Sequence, residues 1–229
     1  MKIGIIGAMQ KEIETIKDNL DWLGVKTRKK MAFFTGNLNN VEIVIGTCYE
    51  GKVNSAIYTQ EMLRNFDDID LILNVGVAGA IDKDLNVYDF VVSTKTVEFD
   101  SDITALKYDL GYVFGVNNVY VKSNENLSNI LYEAAKSVGN AKKGVIATSD
   151  MFVSKDETKE MLRNKFNALA ADMESGSIAH TCYMNDVDFC SLRVISDTGN
   201  EDEYKLFVDN AAKQIYKVID KFTSLLSKN

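Results

Sequence analysis

The stretches LAADMES (residues 169–175) and RVISD (residues 193–197) each place a carboxylate where an apolar run gives way to polar residues. Each apolar run is predicted to be a short buried strand, and a helix is predicted to follow from Ser175. In a parallel sheet the carboxyl ends of the strands form the rim where ligands bind. Glu174 and Asp197 are therefore candidate site residues. The alternative is that each acid only caps the helix that follows it.

Apolar periodicity predicts alternating strands and helices along the whole chain of 229 residues. No linker or low-complexity segment divides them. We therefore expect a single α/β domain over residues 1–229, with a mostly parallel, twisted central sheet flanked by helices. Residues 105–121 lack a period, and a loop of that length is usually functional or covers an interface. The predicted strands cover residues 3–6, 31–36, 41–49, 70–75, 88–97, 143–147, 169–171 and 189–195; the predicted helices cover residues 10–20, 55–64, 124–138, 157–164, 175–184 and 203–226.

The bulk composition excludes several classes of function. A net charge of −7 without a cluster of Lys and Arg argues against nucleic acid or an anionic membrane as the main partner. No apolar run approaches the roughly 20 residues of a membrane span, and the first apolar run is too short for a signal peptide. Three cysteines and one histidine do not make an ordinary zinc site. We expect a cytoplasmic protein without a metal or cofactor.

Acids and small residues recur at the predicted strand ends. Glu12 lies in the first turn of a helix that follows the first strand, where it could also serve only the helix dipole. The strand over residues 70–75 is expected to break at GVAGA (residues 76–80), whose small residues allow either close ligand approach or tight packing. The dinucleotide fingerprint G-x-G-x-x-G is missing, and no Ser-His or Cys-His pair is evident. A rim of carboxylates predicts acid–base chemistry on a small molecule. The residues expected just after strand ends are Glu12, Glu50, Gly76, Gly79, Phe152, Glu174, Ser196 and Asp197.

Several motifs, taken in their order along the chain, resemble those of the nucleoside phosphorylase/hydrolase superfamily, and within it those of the bacterial 5′-methylthioadenosine/S-adenosylhomocysteine nucleosidases. The resemblance spans almost the whole chain. It is carried by MKIGIIGAM (residues 1–9) with Glu12, GKVN (51–54), NVGVAG (74–79), DITA (102–105), SDMF (149–152), DME (172–174) and RVISD (193–197).

The resemblance implies hydrolysis of the N-glycosidic bond of an adenine nucleoside. It implies Asp197 as the acid at adenine N7, Glu12 as the base for water, and Glu174 as the group that holds the ribose hydroxyls. It also implies a homodimer in which Ile103 and Leu106 reach the pocket of a second subunit. The other implied substrate contacts are Met173 beside Glu174, Phe152 stacked on the base, the backbone of Phe152 and Val153 at the adenine edge, Phe207 over the site, and Met9, Gly79, Ser196 and Arg193.

Three positions depart from the family pattern. Val77 stands where a Ser usually helps to hold the water or a phosphate oxygen, and Asp172 replaces the usual Glu. Glu50 stands where an apolar residue usually lines the pocket for the 5′ substituent. We expect Glu50 to disfavour a methylthio group and to suit a polar or cationic one.

Two other functions stay open at this point. A phosphorylase of the same superfamily needs cationic anchors for phosphate, but among the arginines only Arg193 lies in a site motif, and the acidic rim repels an anion. A non-catalytic nucleoside-binding protein is the second alternative. Adenine release, and its dependence on phosphate, distinguish a hydrolase, a phosphorylase and a binding protein from one another.

Overall fold

A computed structural model describes residues 1–196 and 201–227, without the side chains of residues 201–206, 208 and 209. Within this part the chain forms a sheet of ten strands flanked by helices. The strands are β1 (Lys2–Gly7), β2 (Asp21–Arg28), β3 (Met31–Leu38), β4 (Val41–Thr47), β5 (Leu71–Ala80), β6 (Phe90–Glu98), β7 (Val121–Lys122), β8 (Ala141–Thr148), β9 (Ala168–Asp172) and β10 (Asp188–Ser196). The helices are α1 (Gln10–Asp18), α2 (Lys52–Asn65), α3 (Glu125–Val138), α4 (Asp156–Phe166), α5 (Ser175–Met184) and α6 (Glu201–Leu226), with a short 3₁₀ turn at Thr104–Leu106.

Half of the sheet closes on itself. Strand β5 pairs with β1 and β10 in parallel and, through its last two residues, with β9. Because β10 also pairs with β6, and β6 leads through β8 to β9, these five strands form a ring. A small buried cluster takes one side chain from each strand of the ring: Ala78, Val91, Ile146, Ala170 and Ile195. Beyond β1 the sheet continues as β4, β3 and β2.

The helices cover both faces of the sheet. Helices α1, α3 and α6 pack on one face through the largest buried cluster, and α2 and α5 pack on the other. Strand β1 is buried along nearly its whole length, as expected for a parallel strand covered on both sides. No helix in residues 1–196 or 201–227 is long and apolar enough to cross a membrane.

The predicted α/β fold of one domain is confirmed, and so are the predicted helices with small shifts at their ends. The predicted break at residue 76 is wrong. Strand β5 continues to Ala80 because Val77–Gly79 pair in register with Val194–Ser196 of β10. Gly76 and Gly79 therefore lie within a strand, and Ser196 is the last residue of its strand. Strand β2 escaped prediction because it is exposed along most of its length and shows no alternation of polarity.

Gly46 offers a test of this packing. It lies in β4 beneath Tyr58 of α2, whose hydroxyl donates to the Ala32 carbonyl over 2.6 Å. A Cβ at residue 46 would overlap the Tyr58 hydroxyl and lie 2.7 Å from the Ala32 oxygen. We expect Gly46→Ala to lower the free energy of unfolding by about 2 kcal/mol or more, since overpacking costs about 1–3 kcal/mol and a hydrogen bond is lost as well.

Urea unfolding measures this difference. The matched control is Gly24→Ala on exposed β2, where the added methyl meets only Thr35 Oγ1 at 3.8 Å and the change should stay within about 0.5 kcal/mol. Equal stability of the two variants would contradict the packing at Gly46.

Candidate active site

A cleft opens where β1, β5, β9 and β10 give way to loops. It holds about 730 Å³ of space, part of it open to solvent. The structure brings together much of the set expected from the sequence. The expected residues that line the cleft are Met9, Glu12, Glu50, Val77, Gly79, Phe152, Val153, Met173, Glu174 and Ser196.

Glu12 is buried at one end of this cleft and held by backbone amides. Its Oε2 accepts from the amides of Ala8 and Met9, over 2.9 and 2.8 Å, and its Oε1 accepts from the Val77 amide over 2.9 Å. The bonds to residues 8 and 9 serve the start of α1, as the helix-dipole alternative predicts. The bond to β5 does not, and it fixes the carboxylate across the cleft floor. Burial raises the pKa of Glu12, although the Arg193 charge and the three amides oppose this.

Arg193 lies fully buried beneath the same end of the cleft. Its Nη2 contacts Asp172 Oδ2 at 2.7 Å and Glu174 Oε2 at 3.7 Å, and it donates to Asn74 as well. Its Nε and Nη1 have no hydrogen-bond partner among the described residues. A Cβ on Gly76 would collide with Nη1 and with Glu12 Oε1. Gly76 is therefore small because these two side chains pack on it, and not because a ligand does.

Glu174 occupies the N-cap position of α5, but its side chain makes no capping bond. Its Oε1 accepts from the Gly51 amide over 3.1 Å. Asp172 serves the helix instead, because its carboxylate accepts from the amides of Glu174 and Ser175 over 3.3–3.4 Å. Burial raises the pKa of Glu174 to about 7, with Arg193 opposing and Asp172 adding to the rise. The capping alternative is thus wrong for the side chain of Glu174.

The opposite end of the cleft is less charged. Along β5, Val77 contacts Glu12 while Gly79 pairs with Ala171 and Ser196, and two residues of strand span about 7 Å. Gly79 is open, because the nearest atom to an added Cβ would be the Ala171 oxygen at 4.0 Å. Val153, on the loop that leads to α4, packs against the buried cluster that contains Ala171. Phe152 beside it lines the cleft with 73% of its surface exposed. This end therefore offers an exposed aromatic ring on which a flat base can stack.

Several expected site residues are not in the cleft. Asp197 lies outside the described residues, although Ser196 before it lines the cleft. Phe207 is buried, with its ring 4.9 Å from that of Tyr88. It is not among the residues that line the cleft, so its role over the site stays a prediction. Ile103 and Leu106 lie on the long loop away from the cleft, and Leu106 is 66% exposed.

Two features of the cleft were not predicted from the sequence. Lys159 in the first half of α4 lines the cleft, and no signal in an otherwise amphipathic helix marks it. Asp172 was treated only as a departure, although it is the main partner of Arg193. The two acids of DME, together with the arginine that precedes an apolar run in RVISD, could have suggested an ion pair. Among the described residues, no group of three or more His, Cys, Asp or Glu side chains could hold a metal ion.

Comparison with known proteins shows which family the chain belongs to. Residues 2–224 match the model of the Phosphorylase superfamily. The chain belongs to that superfamily. A 5′-methylthioadenosine/S-adenosylhomocysteine nucleosidase of Staphylococcus aureus (strain MRSA252) is 34% identical over 228 residues, which cover 98% of this chain and all of the relative.

Solved structures agree with this assignment to the superfamily. The nucleosidase of the same name from Neisseria meningitidis, in complex with methylthio-immucillin-A, superposes with a TM-score of 0.91 at 28% identity, covering 98% of this chain and 99% of that one. A futalosine hydrolase of Helicobacter pylori gives 0.89 at 32% identity, covering 97% of each. The resemblance to the nucleosidases is confirmed, and with it the assignment to a family of N-glycosyl hydrolases.

The raised pKa of Glu174 gives a prediction about stability. A carboxyl whose folded pKa exceeds its ordinary value of 4.5 contributes stability that is complete below pH 4.5 and is lost as the pH rises through about 7. We expect the wild type to lose up to about 3 kcal/mol relative to Glu174→Gln over this window, at about 1.4 kcal/mol per pKa unit.

Urea unfolding of both proteins between pH 4.5 and 8 measures this loss. Glu14→Gln on the exposed face of α1 is the control. It removes a carboxylate that faces solvent, so its stability should change with pH as the stability of the wild type does. Parallel stability curves for the wild type and Glu174→Gln would contradict the assignment.

Proposed function

We propose that this protein hydrolyses the N-glycosidic bond of a 5′-substituted adenosine and releases adenine. The observation that supports this most is the polarity of the cleft. Two buried carboxylates, Glu12 and Glu174, stand over Arg193 at one end, while the exposed Phe152 and the Val153 backbone stand at the other. A nucleoside has the matching asymmetry, since its sugar carries hydroxyls and its base is flat and apolar on both faces.

The sugar end suits a reaction in which positive charge grows on the ribose. As the bond to the base breaks, the sugar becomes cation-like, and a nearby carboxylate stabilises that charge in a site of low dielectric. In the proposal Glu174 accepts hydrogen bonds from the ribose hydroxyls. The ionised form does both, so we expect substrate to bind better as the pH rises through about 7.

Glu12 is proposed as the base that orients and activates water. A base works best when its pKa lies near the operating pH, and burial moves the pKa of Glu12 in that direction. Its Oε1 is fixed by the Val77 amide, so the carboxylate keeps its orientation even though Val77 has no hydroxyl. The unpaired Nη1 of Arg193, close to Glu12 Oε1 across Gly76, is a second donor near this position.

Asp197 is proposed as the acid that protonates adenine N7. It follows Ser196, which lines the base end of the cleft. Departure of adenine requires its negative charge to be neutralised, and general acid catalysis of this kind contributes about 10²–10⁴-fold.

Water is favoured over phosphate as the nucleophile. The place beside Glu12 is bounded by Glu174 and by Asp172 below, and the charge of Arg193 is already shared between those two acids. Lys159 of α4 is the cation that lines the cleft among the described residues, and it pairs with none of these acids. A phosphate dianion next to Glu12 would meet three carboxylates that share one buried cation.

The protein is proposed to act as a homodimer. Exposed apolar side chains gather on α2, α5 and the long loop, and the loop residue Gly115 lies against Met184 of α5. Such a patch is typical of a protein interface. Ile103 and Leu106 belong to the same loop, so the contacts of these two with the partner's pocket stay a prediction. The exposed residues are Val53, Ile57, Leu106, Tyr108, Phe114, Tyr183 and Met184.

A substrate panel tests the reaction. Adenosine, 5′-deoxyadenosine, methylthioadenosine, S-adenosylhomocysteine, futalosine and aminofutalosine are incubated with and without phosphate, and the free base is measured. We expect adenine and the free sugar without phosphate. Ribose 1-phosphate formed only with phosphate would make the protein a phosphorylase, and adenine binding without release from any substrate would make it a binding protein.

The proposed acid can be tested on its own. Asp197→Asn cannot protonate N7, so we expect nucleoside binding within about threefold of wild type and a loss of about 10²–10⁴-fold in kcat. Calorimetry with an uncleaved analogue and single-turnover kinetics measure the two quantities. Full turnover in this variant would remove Asp197 from the role.

Glu50 offers a test of the 5′ pocket. It is exposed and lines the cleft, so a charged carboxylate faces the substituent. Glu50→Ile is expected to raise kcat/KM for methylthioadenosine relative to S-adenosylhomocysteine by about tenfold, since an apolar contact of one or two methylenes discriminates by that order. An unchanged ranking of substrates would show that Glu50 does not contact the substituent.

A further inference from the structure

Lys52 is a half-buried cation that does not line the cleft. Its contacts, and those of its neighbour Gly51, connect the segments that carry Phe152 and Glu174. It is the first residue of α2, and its side chain is only 20% exposed. Its ammonium lies 2.7 Å from Asp100 Oδ1 and 3.3 Å from Glu98 Oε2. Both acids lie at the end of β6, so the cation fastens α2 to the sheet.

The loop that carries Phe152 is attached to the same junction. Asp150 Oδ1 accepts from the Lys52 amide over 2.7 Å, and the Asp150 amide donates to Asp100 Oδ2 over 3.1 Å. Asp100 therefore bridges the Lys52 ammonium and the loop with its two oxygens. Asp150 precedes Phe152 by two residues, so its position sets where the ring stands.

The sugar end is attached through the residue before Lys52. The Gly51 amide donates to Glu174 Oε1 over 3.1 Å. Gly51 has φ +97°, and a Cβ there would lie 3.0 Å from Asp150 Oδ1, so only glycine fits between the carboxylate and the loop. One backbone turn thus touches the Phe152 loop on one side and Glu174 on the other.

We propose that Lys52 is a positioning residue, whose ion pairs with Asp100 and Glu98 hold the base-binding loop and the ribose carboxylate at a fixed spacing. The inference rests on the proposed function, because the spacing matters only to a ligand that spans both ends. Lys52 touches no substrate. It acts through Asp100 on the loop and through the α2 turn on Glu174.

The charges of this junction persist across neutral pH. Burial opposes the charge of Lys52, but Asp100 and Glu98 outweigh it and raise its pKa. Burial likewise opposes the charge of Glu98, yet His180, at 3.3 Å, and Lys52 lower its pKa. Lys52 and Glu98 therefore carry opposite charges at neutral pH.

The test compares Lys52→Met, which keeps the stem and removes the charge, with Lys52→Arg, which keeps the charge. Because the loop binds the base in both ground and transition states, we expect Lys52→Met to raise KM and the adenine Kd about tenfold. Any fall in kcat, through Glu174, should be smaller than the rise in KM, because the Gly51 amide still holds that carboxylate. Lys52→Arg should restore KM and the adenine Kd to within about threefold, since a guanidinium also pairs with two carboxylates.

Two further variants separate positioning from folding. Lys142→Met is the matched control, because Lys142, at the start of β8, also pairs with two acids, Asp82 and Asp84, and none of the three lines the cleft. It should keep wild-type KM and adenine Kd. If Lys52→Met fails to fold, Asp100→Asn removes the same bridge and should show the same rise. In a folded double variant the two losses should not add, because both break one contact.

The outcomes are distinguishable from a failure of the proposed function. If the wild type releases no base, the reaction is wrong, and the adenine Kd still tests Lys52. If the wild type is active but folded Lys52→Met keeps its KM and adenine Kd, the positioning role is overturned. It is also overturned if Lys52→Arg is as impaired as Lys52→Met, or if Lys142→Met is impaired equally.

Discussion

The architecture around the cleft depends on one fully buried charge. Arg193 is shielded from solvent, and an ion removed from water costs several kcal/mol unless partners surround it. Its partners come from separate segments: Asp172 from the end of β9, Glu174 from the start of α5, and Asn74 from β5. They meet only because β5 pairs with both β9 and β10, so the closed half of the sheet and the ion cluster require each other.

The same burial that makes the cluster costly makes it chemically useful. Glu12 and Glu174 share one buried region with a single cation, and of the three carboxylates Asp172 lies closest to that cation, at 2.7 Å. The other two carboxylates are left with raised pKa values, which is how acid–base groups are tuned toward neutral pH. Three backbone amides bind Glu12, and the Gly51 amide binds Glu174, so backbone groups fix the orientation of each carboxylate. Substitution of neighbouring side chains leaves these hydrogen bonds in place.

The sequence predicted the order of elements and the edge of the sheet where the site lies, because these follow from apolar periodicity and from where acids interrupt it. It could not predict that β5 runs on to Ala80, since that extension is dictated by pairing with β10 and not by the composition of GVAGA. Nor could it separate Asp172 from Glu174, because which of two neighbouring acids caps α5 and which faces the cleft depends on the position of Arg193. Strand β2 and the contact of Lys159 with the cleft could not be predicted, because no sequence pattern marks either of them. Phe207 belongs to the apolar stripe of α6, and it is buried accordingly.

The three departures from the family pattern differ in how much they disturb the buried groups of the cleft. Val77 meets Glu12 through its amide, so exchanging its side chain alters the surroundings of the water position and leaves the carboxylate in place. Asp172 is shorter than Glu and still reaches Arg193, Thr148 and the start of α5. Glu50 is exposed and lines the cleft. In the proposed reaction, the groups that act on the bond are therefore ones that the fold holds in place, and the group proposed to select the 5′ substituent is an exposed side chain.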